Sequence, residues 1–511
     1  MSFRLFVILS ALCVVAPAGA ADEWPILTPQ PGAAPRINGP RAYGARPGRP
    51  FLYRIPATGE RPIRFFVRGL PDGLKVDEGS GIISGVTPAR EAAYAVTIEA
   101  QNRHGKVARD LRLVIGSGLS LTPQMGWNSW YTHYAHVTDK VIREAADVMV
   151  SSGMADFGYE FVSIDDCWAR RADSSNPRHR GEARDASGAI LTNQDFSDMK
   201  ALTDYIHGKG LKAGTYTSPG PLTCGGYTGS WQHEEQDAHT IAAWGFDLLK
   251  YDLCSYRKTP GIKNDEEDQA PYRKMGPILK AMPRDIVLNF CQYGRADVWK
   301  WGGEAGGHSW RTTGDLGLEK DTELPGFYSI GFKNAEHWEY AGPGKWNDPD
   351  YILIGTVGDA RAWSSGKPPE RVKLTANEQY SYMSMWALMA SPLLFGGDMS
   401  LLDKFTMNVL CNAEVIDVDQ DLLGKQARVV RKNKDEFILA KPLEDGSVAV
   451  GFFNLTKEAR KITSSMSDLE ASPRSRVRDL WRQKEDGTAD GELRRTIGAH
   501  GVALLRLRAA K

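Results

Sequence analysis

Residues 244–254 read WGFDLLKYDLC. Phe246, Leu248 and Leu249 are apolar, and Lys250 and Asp252 follow them two residues apart. In a strand, residues i and i+2 face the same side. Lys250, Asp252 and Cys254 therefore share a side, at the end of a segment whose start reads as buried. A cation and a carboxylate delivered to one place by a strand end is how a barrel enzyme builds a site. Taken alone, the pair reads more readily as an ordinary ion pair of small energetic weight, so the flanking segments have to decide.

Seven further segments share the character of 244–254. Strand candidates run over 125–128, 161–166, 211–216, 286–291, 310–315, 346–348 and 393–396. Helical patterns lie between several of them. Val141, Ala145, Val148 and Met149 fall on one face before Gly153, and Met199, Leu202 and Ile206 do so before Gly208 and Gly210. Ala238, Ile241 and Trp244 precede Gly245, a C-terminal glycine. Residues 378–390 form a further helix, rich in Met and Trp. Eight strands alternating with helices predict a (β/α)8 TIM barrel over 117–410. A doubly wound open sheet is the alternative. No glycine-rich phosphate loop follows any strand, since 302–307 (GGEAGG) precedes one.

The flanks have another rhythm. Residues 41–116 carry short strand signals separated by turns at regular spacing, which predicts a small β-sandwich. Within it, GLPDGLKVDEGSGIISGVTP (69–88) resembles the immunoglobulin-like modules of exported bacterial proteins. A spacer is the favoured role, ahead of a carbohydrate- or surface-binding module. Residues 21–40, rich in Pro, Gly and Ala, read as a flexible linker. Residues 411–511 return to apolar or alternating runs between turns and predict an antiparallel β domain packed on the barrel.

A chain of 511 residues exceeds one ordinary core. Lys+Arg and Asp+Glu both number 63, which gives no reason to expect a nucleic-acid partner. Arg4, the apolar run 5–15 and Ala18-Gly19-Ala20 form a basic region, an apolar region and an A-x-A site. Residues 1–20 are thus expected to be a cleaved signal peptide, too short to span a bilayer. The mature protein is expected to be secreted or periplasmic, with no membrane span. Loss of Cys13 leaves Cys167, Cys224, Cys254, Cys291 and Cys411, an odd number, so at least one thiol stays free. No Cys/His cluster has zinc spacing, and no metal or cofactor is expected.

Polar residues gather at the strand ends. Trp127 closes the first, Asp165 and Asp166 the second, and Lys250 and Asp252 the fourth. Gln292 follows the fifth, Arg311 and Asp315 the sixth, and Asp348 and Asp350 the seventh. Grouped charge of this kind marks a site, because burying it is costly. Carboxylates with aromatic platforms and cationic donors suit a sugar. Cleaving a glycosidic bond with retention needs one carboxylate to attack the anomeric carbon and a carboxylic acid to protonate the leaving oxygen. Asp252 is expected to be held ionised by Lys250, which would lower its pKa. Asp315, with no Lys beside it, is the candidate acid, and Arg311 is a fork donor for hydroxyls. Asp348 and Asp350 are expected to hold loop structure.

TPQMGWNSW (122–130), YEFVSIDDCW (159–168), LKYDLC (249–254), SWRTTGDL (309–316), WNDPD (346–350) and MWALMASPLLFGGDM (385–399) resemble glycoside hydrolase family 27. That family contains α-galactosidases and α-N-acetylgalactosaminidases, and the resemblance covers about 120–511. It implies a retaining enzyme acting on an α-galactoside oligosaccharide or glycan. Asp252 would be the nucleophile and Asp315 the acid/base. Trp127 would stack on the sugar, Asp165 and Asp166 would accept from O4 and O6, and Tyr216 would lie near O6. Lys250 would bind around O3 and O4, Arg311 around O2 and O3, and Gln292 would help read O2. Cys224 and Cys254 match the family's disulfide beside the site.

Three positions depart from the family pattern. Ser218 stands where many relatives carry Asp. Cys167 matches a half-cystine whose partner is missing from 130–140, so it is expected to be free. Gln292 stands where well-known α-galactosidases carry Glu, which opens the 2-hydroxyl against the 2-acetamido preference. The rival readings are an α-N-acetylgalactosaminidase, a β-L-arabinopyranosidase and a non-catalytic sugar-binding protein. The sequence leaves the oligomeric state open.

Overall fold

The computed structural model describes residues 24–259, 264 and 266–510. The expected signal peptide lies outside the described residues. Eight parallel strands form the central sheet: β1 Met125–Asn128, β2 Phe161–Ser163, β3 Lys212–Thr217, β4 Leu248–Asp252, β5 Val287–Cys291, β6 Ser309–Arg311, β7 Trp346–Asp348 and β8 Leu393–Phe395. They pair in chain order, and β8 pairs with β1. A parallel bridge between Ile352 and Phe395 joins the chain beyond β7 to β8 and closes the circle. The eight expected strands are these eight, and the (β/α)8 reading stands over the open sheet.

Each strand of this barrel has one face toward the axis and one toward the helices. In β4, Tyr251 points outward and meets the ring of Tyr272 at 5.6 Å, on helix Ala270–Ala281. Leu248, Lys250 and Asp252 point inward. Leu248 packs with Phe161 and Val287, at the starts of β2 and β5, as a small apolar cluster at one end of the axis. The polar members lie at the other end. Gly214 allows β2 and β3 to approach, because a Cβ there would stand 2.2 Å from Ser163 Oγ. Helix Asp139–Ser151 buries Ile142, Ala145, Ala146 and Met149, so its inner face is centred one residue beyond Val141 and Val148. Helix Ala376–Leu388 is almost wholly buried, and Thr375 with Glu378 closes its start in a capping box.

It is buried between the barrel and the C-terminal domain, an eight-stranded antiparallel sheet. Its strand Glu436–Pro442 alternates. Phe437 and Leu439 join the barrel's core, while Ile438 and Ala440 join the domain's own core. Both faces are covered, which explains runs such as Phe437-Ile438-Leu439-Ala440 where simple alternation would leave one face polar.

The N-terminal sandwich packs a four-stranded against a three-stranded sheet around Phe51, Phe65, Ile83, Val96, Ile98 and Leu113. Residues 24–40 depart from the flexible linker. Thr28 is buried and bonds to Asn408 in both directions, and Arg36–Ile37 pairs with Ala57–Thr58. The module is also anchored to the barrel. Arg46 donates from Nε to Asp285 at 2.5 Å, from Nη1 to Lys280 O at 2.6 Å and from Nη2 to Arg284 O at 2.7 Å. Its side chain is only 9% exposed. Removing one partner of a buried pair strands the other, at a cost of about 3–5 kcal/mol. Arg46→Ala is therefore expected to lower the calorimetric unfolding temperature and split the module's transition from the barrel's. An unchanged single transition would show that this contact does not hold the module in place.

Candidate active site

The polar end of the axis collects side chains from six of the eight strands. Asp252, the last residue of β4, is buried, and each of its oxygens accepts a tyrosine hydroxyl. Tyr293 donates to Oδ1 at 2.6 Å and Tyr216 to Oδ2 at 3.1 Å. Tyr216 pairs in register with Lys250, its hydroxyl reaches two residues beyond that partner to Asp252, and it also lies 3.0 Å from Cys254 Sγ. Asp252 and Cys254 thus face the same place. Cys224 and Cys254 form a disulfide with Cα atoms 4.9 Å apart, tying the loop after β3 to the end of β4. Cys167, Cys291 and Cys411 are free and buried. Leu253 turns away into the core.

The expected electrostatics need one correction. Lys250 does lower the Asp252 pKa, and so does the Tyr293 hydrogen bond, but burial outweighs both and pushes the carboxyl up to about 6. Lys250 spends its ion pair elsewhere, donating to Asp165 Oδ2 at 2.8 Å. Burial opposes its charge, but Asp165 leads the groups that hold the ammonium well above its usual range. The Lys250 ammonium lies 5.2 Å from the ring centres of both Tyr216 and Tyr351, and Tyr351 also donates to Asp165 at 3.3 Å. Asp166 accepts from the N–H groups of Cys167 and Gly225, both at 2.6 Å. It fastens the disulfide loop, and burial raises its pKa to about 6 against these bonds.

Arg311, at the end of β6, is 2% exposed. Its Nη1 lies 3.3 Å from Asp315 Oδ1, and its Nη2 lies 3.1 Å from Asp350 Oδ2 and 2.6 Å from Gly314 O. Much of the expected fork is thus committed within the protein. The side chain of Asp315 keeps 33% of its surface open, and burial of the rest raises its pKa, with Arg311 pulling it down and Asp350 pushing it up. It stands as the accessible carboxyl beside a hidden one. Asp348 and Asp350 hold structure. Asp348 accepts from Asn289 and the Asp350 N–H, and Asp350 accepts from Tyr131 and the N–H of Leu316.

Gln292 is buried and donates weakly to Arg311 O at 3.4 Å, while its Oε1 has no partner among the described residues. A buried acceptor of this kind is an opening for a ligand donor. Trp127 departs from expectation. Its ring is 0% exposed and its N–H donates to Gly397 O at 2.8 Å, so it offers no open face to stack on. The structure adds residues that the motifs passed over: Tyr293, Tyr351 and Asn289. The i, i+2 rule carried one step beyond Cys291 would have picked out Tyr293.

A cavity of ≈ 280 Å³ lies at the opposite, apolar end, between the N-terminal module and the strand starts. Its carboxylates are matched by cations: Glu160 by Lys212 at 3.7 Å, Asp247 by Arg284 at 3.0 Å and Asp285 by Arg46. These carboxylates are engaged in their own ion pairs, and the cavity lies away from Asp252 and Asp315.

A barrel whose polar end sets a buried, tyrosine-bound carboxyl beside an open one defines a glycoside hydrolase. Comparison with known proteins narrows the class. The family model described as alpha galactosidase A matches residues 122–421, the alpha galactosidase C-terminal beta sandwich domain matches 436–507, and an Ig domain model matches 34–116. The chain belongs to glycoside hydrolase family 27, the α-galactosidase family. It is 38% identical to the α-galactosidase of Cyamopsis tetragonoloba, over 77% of this chain and 88% of that protein. To α-galactosidase A of Cellvibrio japonicus it is 37% identical, over 76% and 92%. A crystal structure from Bacteroides fragilis, assigned to the α-galactosidase/melibiase class, superposes with a TM-score of 0.85 at 35% identity and covers 94% of this chain and 99% of that one.

Proposed function

We propose that this chain is an exported, retaining exo-α-galactosidase. The observation that carries the reading is Asp252, fixed at a strand end by two tyrosines and within electrostatic reach of the more open Asp315. In the first step an Asp252 oxygen attacks the anomeric carbon of a terminal α-galactosyl unit. The glycosidic bond breaks, and the leaving oxygen takes the Asp315 proton. In the second step water gives a proton to Asp315 and attacks the same carbon. The Asp252–carbon bond breaks, the carboxylate returns, and galactose leaves in the α configuration.

The side chains around the pair fit a hexose. Lys250 and Asp165, joined to each other, offer a donor and an acceptor at one point, suited to O3 and O4. Asp166 retains lone pairs for O6, and having both aspartates favours a sugar with a C6 hydroxymethyl over an arabinopyranoside. The unpartnered Oε1 of Gln292 accepts from a 2-hydroxyl. Export rests on the leader sequence of residues 1–20, and no helix among the described residues is long and apolar enough to cross a membrane.

Hydrolysis of the p-nitrophenyl derivatives of α-galactose, α-N-acetylgalactosamine and β-L-arabinopyranose is the test. The α-galactoside is expected to have the highest kcat/KM. A preference for the acetamido sugar would reassign Gln292, and a preference for the arabinoside would reassign Asp165 and Asp166. No turnover of any of the three would end the enzyme reading.

A further inference from the structure

Of the two tyrosines that fix Asp252, Tyr293 makes the shorter bond, 2.6 Å against 3.1 Å from Tyr216. Its backbone has a φ of 67°, uncommon for a bulky residue. The next residue, Gly294, has a φ of 80° and donates its N–H to Arg311 O at 3.0 Å, so the turn after β5 is clamped to the end of β6. Strained backbone of this sort persists where surrounding structure fixes it, often at working sites. Here it aims a phenol at one oxygen of the carboxyl, while the ring remains partly exposed.

We propose that Tyr293 is a positioning residue that governs the second half of the reaction. The proposal rests on the retaining reading above. A hydrogen bond to a carboxylate is worth more when the carboxylate carries full charge. In the first step Asp252 gives up charge as its bond to the sugar forms, so the Tyr293 bond weakens along the way. In the second step the Asp252–carbon bond breaks, the electron pair returns to the carboxylate, and the phenol stabilises that returning charge. Tyr293 therefore favours release of the covalent sugar more than its capture. Burial, then the nearby Asp252, hold its own pKa far above neutrality, so it remains a donor across the working range.

The bond also bears on ionisation. The titratable groups that act on or sense Asp252 are Lys250 on its own strand, Tyr216 from β3, Cys291 at the end of β5 and Tyr293 just beyond it, Asp315 beyond β6, Asp165 beyond β2 and, from the outer helix, Tyr272. Of these, Lys250 and the hydroxyl donors Tyr293 and Tyr216 favour the ionised carboxyl, with Lys250 and Tyr293 the leading ones, opposing burial, Asp315 and Asp165.

The test is Tyr293→Phe, assayed on p-nitrophenyl α-galactoside. kcat and KM are expected to fall together by roughly 10- to 100-fold, with kcat/KM held within about threefold. A burst of p-nitrophenol should appear, intact-protein mass should show the glycosylated enzyme, and the acid limb of kcat/KM should move to higher pH. A fall in kcat/KM with no burst, or an acid limb that stays in place, would overturn the proposal. Should the phenylalanine variant fail to fold, 3-fluorotyrosine at 293 keeps the shape and strengthens the donor. The acid limb should then move to lower pH, and an unmoved limb overturns the proposal again. Wild-type enzyme with no turnover would instead remove the retaining reading itself, and this proposal with it.

Discussion

Replacing Asp252 by alanine is expected to cut turnover of an α-galactoside by at least about 10⁴-fold while the fold stays intact. The variant removes the atom that bonds to the sugar, and no neighbour can substitute. Lys250 is bound to Asp165, and Tyr216 and Tyr293 are donors without a carboxylate to serve. Added azide fills the space left by the carboxyl and attacks the anomeric carbon directly, with Asp315 still present to protonate the leaving group. One displacement inverts, so the rescued product should be β-galactosyl azide. Activity retained without azide would remove Asp252 from the role of nucleophile.

The same carboxyl should show its cost in stability. Asp252 titrates at about 6 in the fold and at 3.8 in a model peptide, because burial disfavours its charge. Below about 3.8 both the folded and the unfolded chain hold the proton, and the penalty is absent. Between 3.8 and 6 the unfolded chain releases it while the fold keeps it, so stability falls as pH rises. Above 6 the loss is complete, of order 3 kcal/mol. Asp252→Asn does not titrate. Its unfolding temperature, compared with wild type, should rise progressively between pH 4 and pH 7. A gap that does not change with pH would contradict the buried-carboxyl account. In catalysis the sign is opposite: the nucleophile must be ionised, so activity is expected to fall as pH drops through about 6.

The barrel was legible because its strands are short, run into polar or small residues and alternate with helical patterns, and the period-2 rule alone placed Lys250 and Asp252 together. What the rule could not supply was which charges pair across strands. Lys250 reads as the partner of Asp252, two residues away, yet it bonds to Asp165, 85 positions earlier, because β2 delivers that carboxylate to the same depth of the axis. Lys250 does lower the Asp252 pKa as expected, but the net shift is upward, because sequence shows neighbours, not desolvation. Trp127 was misjudged through its position at a strand end, which does not say how far the following loop covers it. The 24–40 segment looked flexible from its Pro and Gly content, but Thr28 and Asn408 exchange hydrogen bonds that composition cannot reveal.

Asp315→Ala should separate the two halves of the reaction. Its acid role matters most when the leaving group is poor, so hydrolysis of an alkyl α-galactoside should fall by about 10³-fold or more, within the range that general acid catalysis supplies. A p-nitrophenol leaving group needs little protonation, so capture of that substrate by Asp252 should persist. Release of the covalent sugar then stalls, since no base activates water, and a burst followed by slow turnover is the expected trace. The wild-type basic limb of kcat/KM, set by the raised Asp315 pKa, should disappear. Azide needs no base and should restore turnover, now by attack on the covalent intermediate. Two displacements retain configuration, so the product should be α-galactosyl azide, the opposite anomer from the Asp252 variant. That opposition is the strongest check on the pair. Raised pKa values, burial and hydrogen bonds are shared by both carboxyls and do not assign them, whereas each anomer can arise from only one order of bond making. If both variants gave the same anomer, or if Asp315→Ala gave no burst with the activated substrate, the roles of acid/base and nucleophile would have to be assigned elsewhere on this face of the barrel.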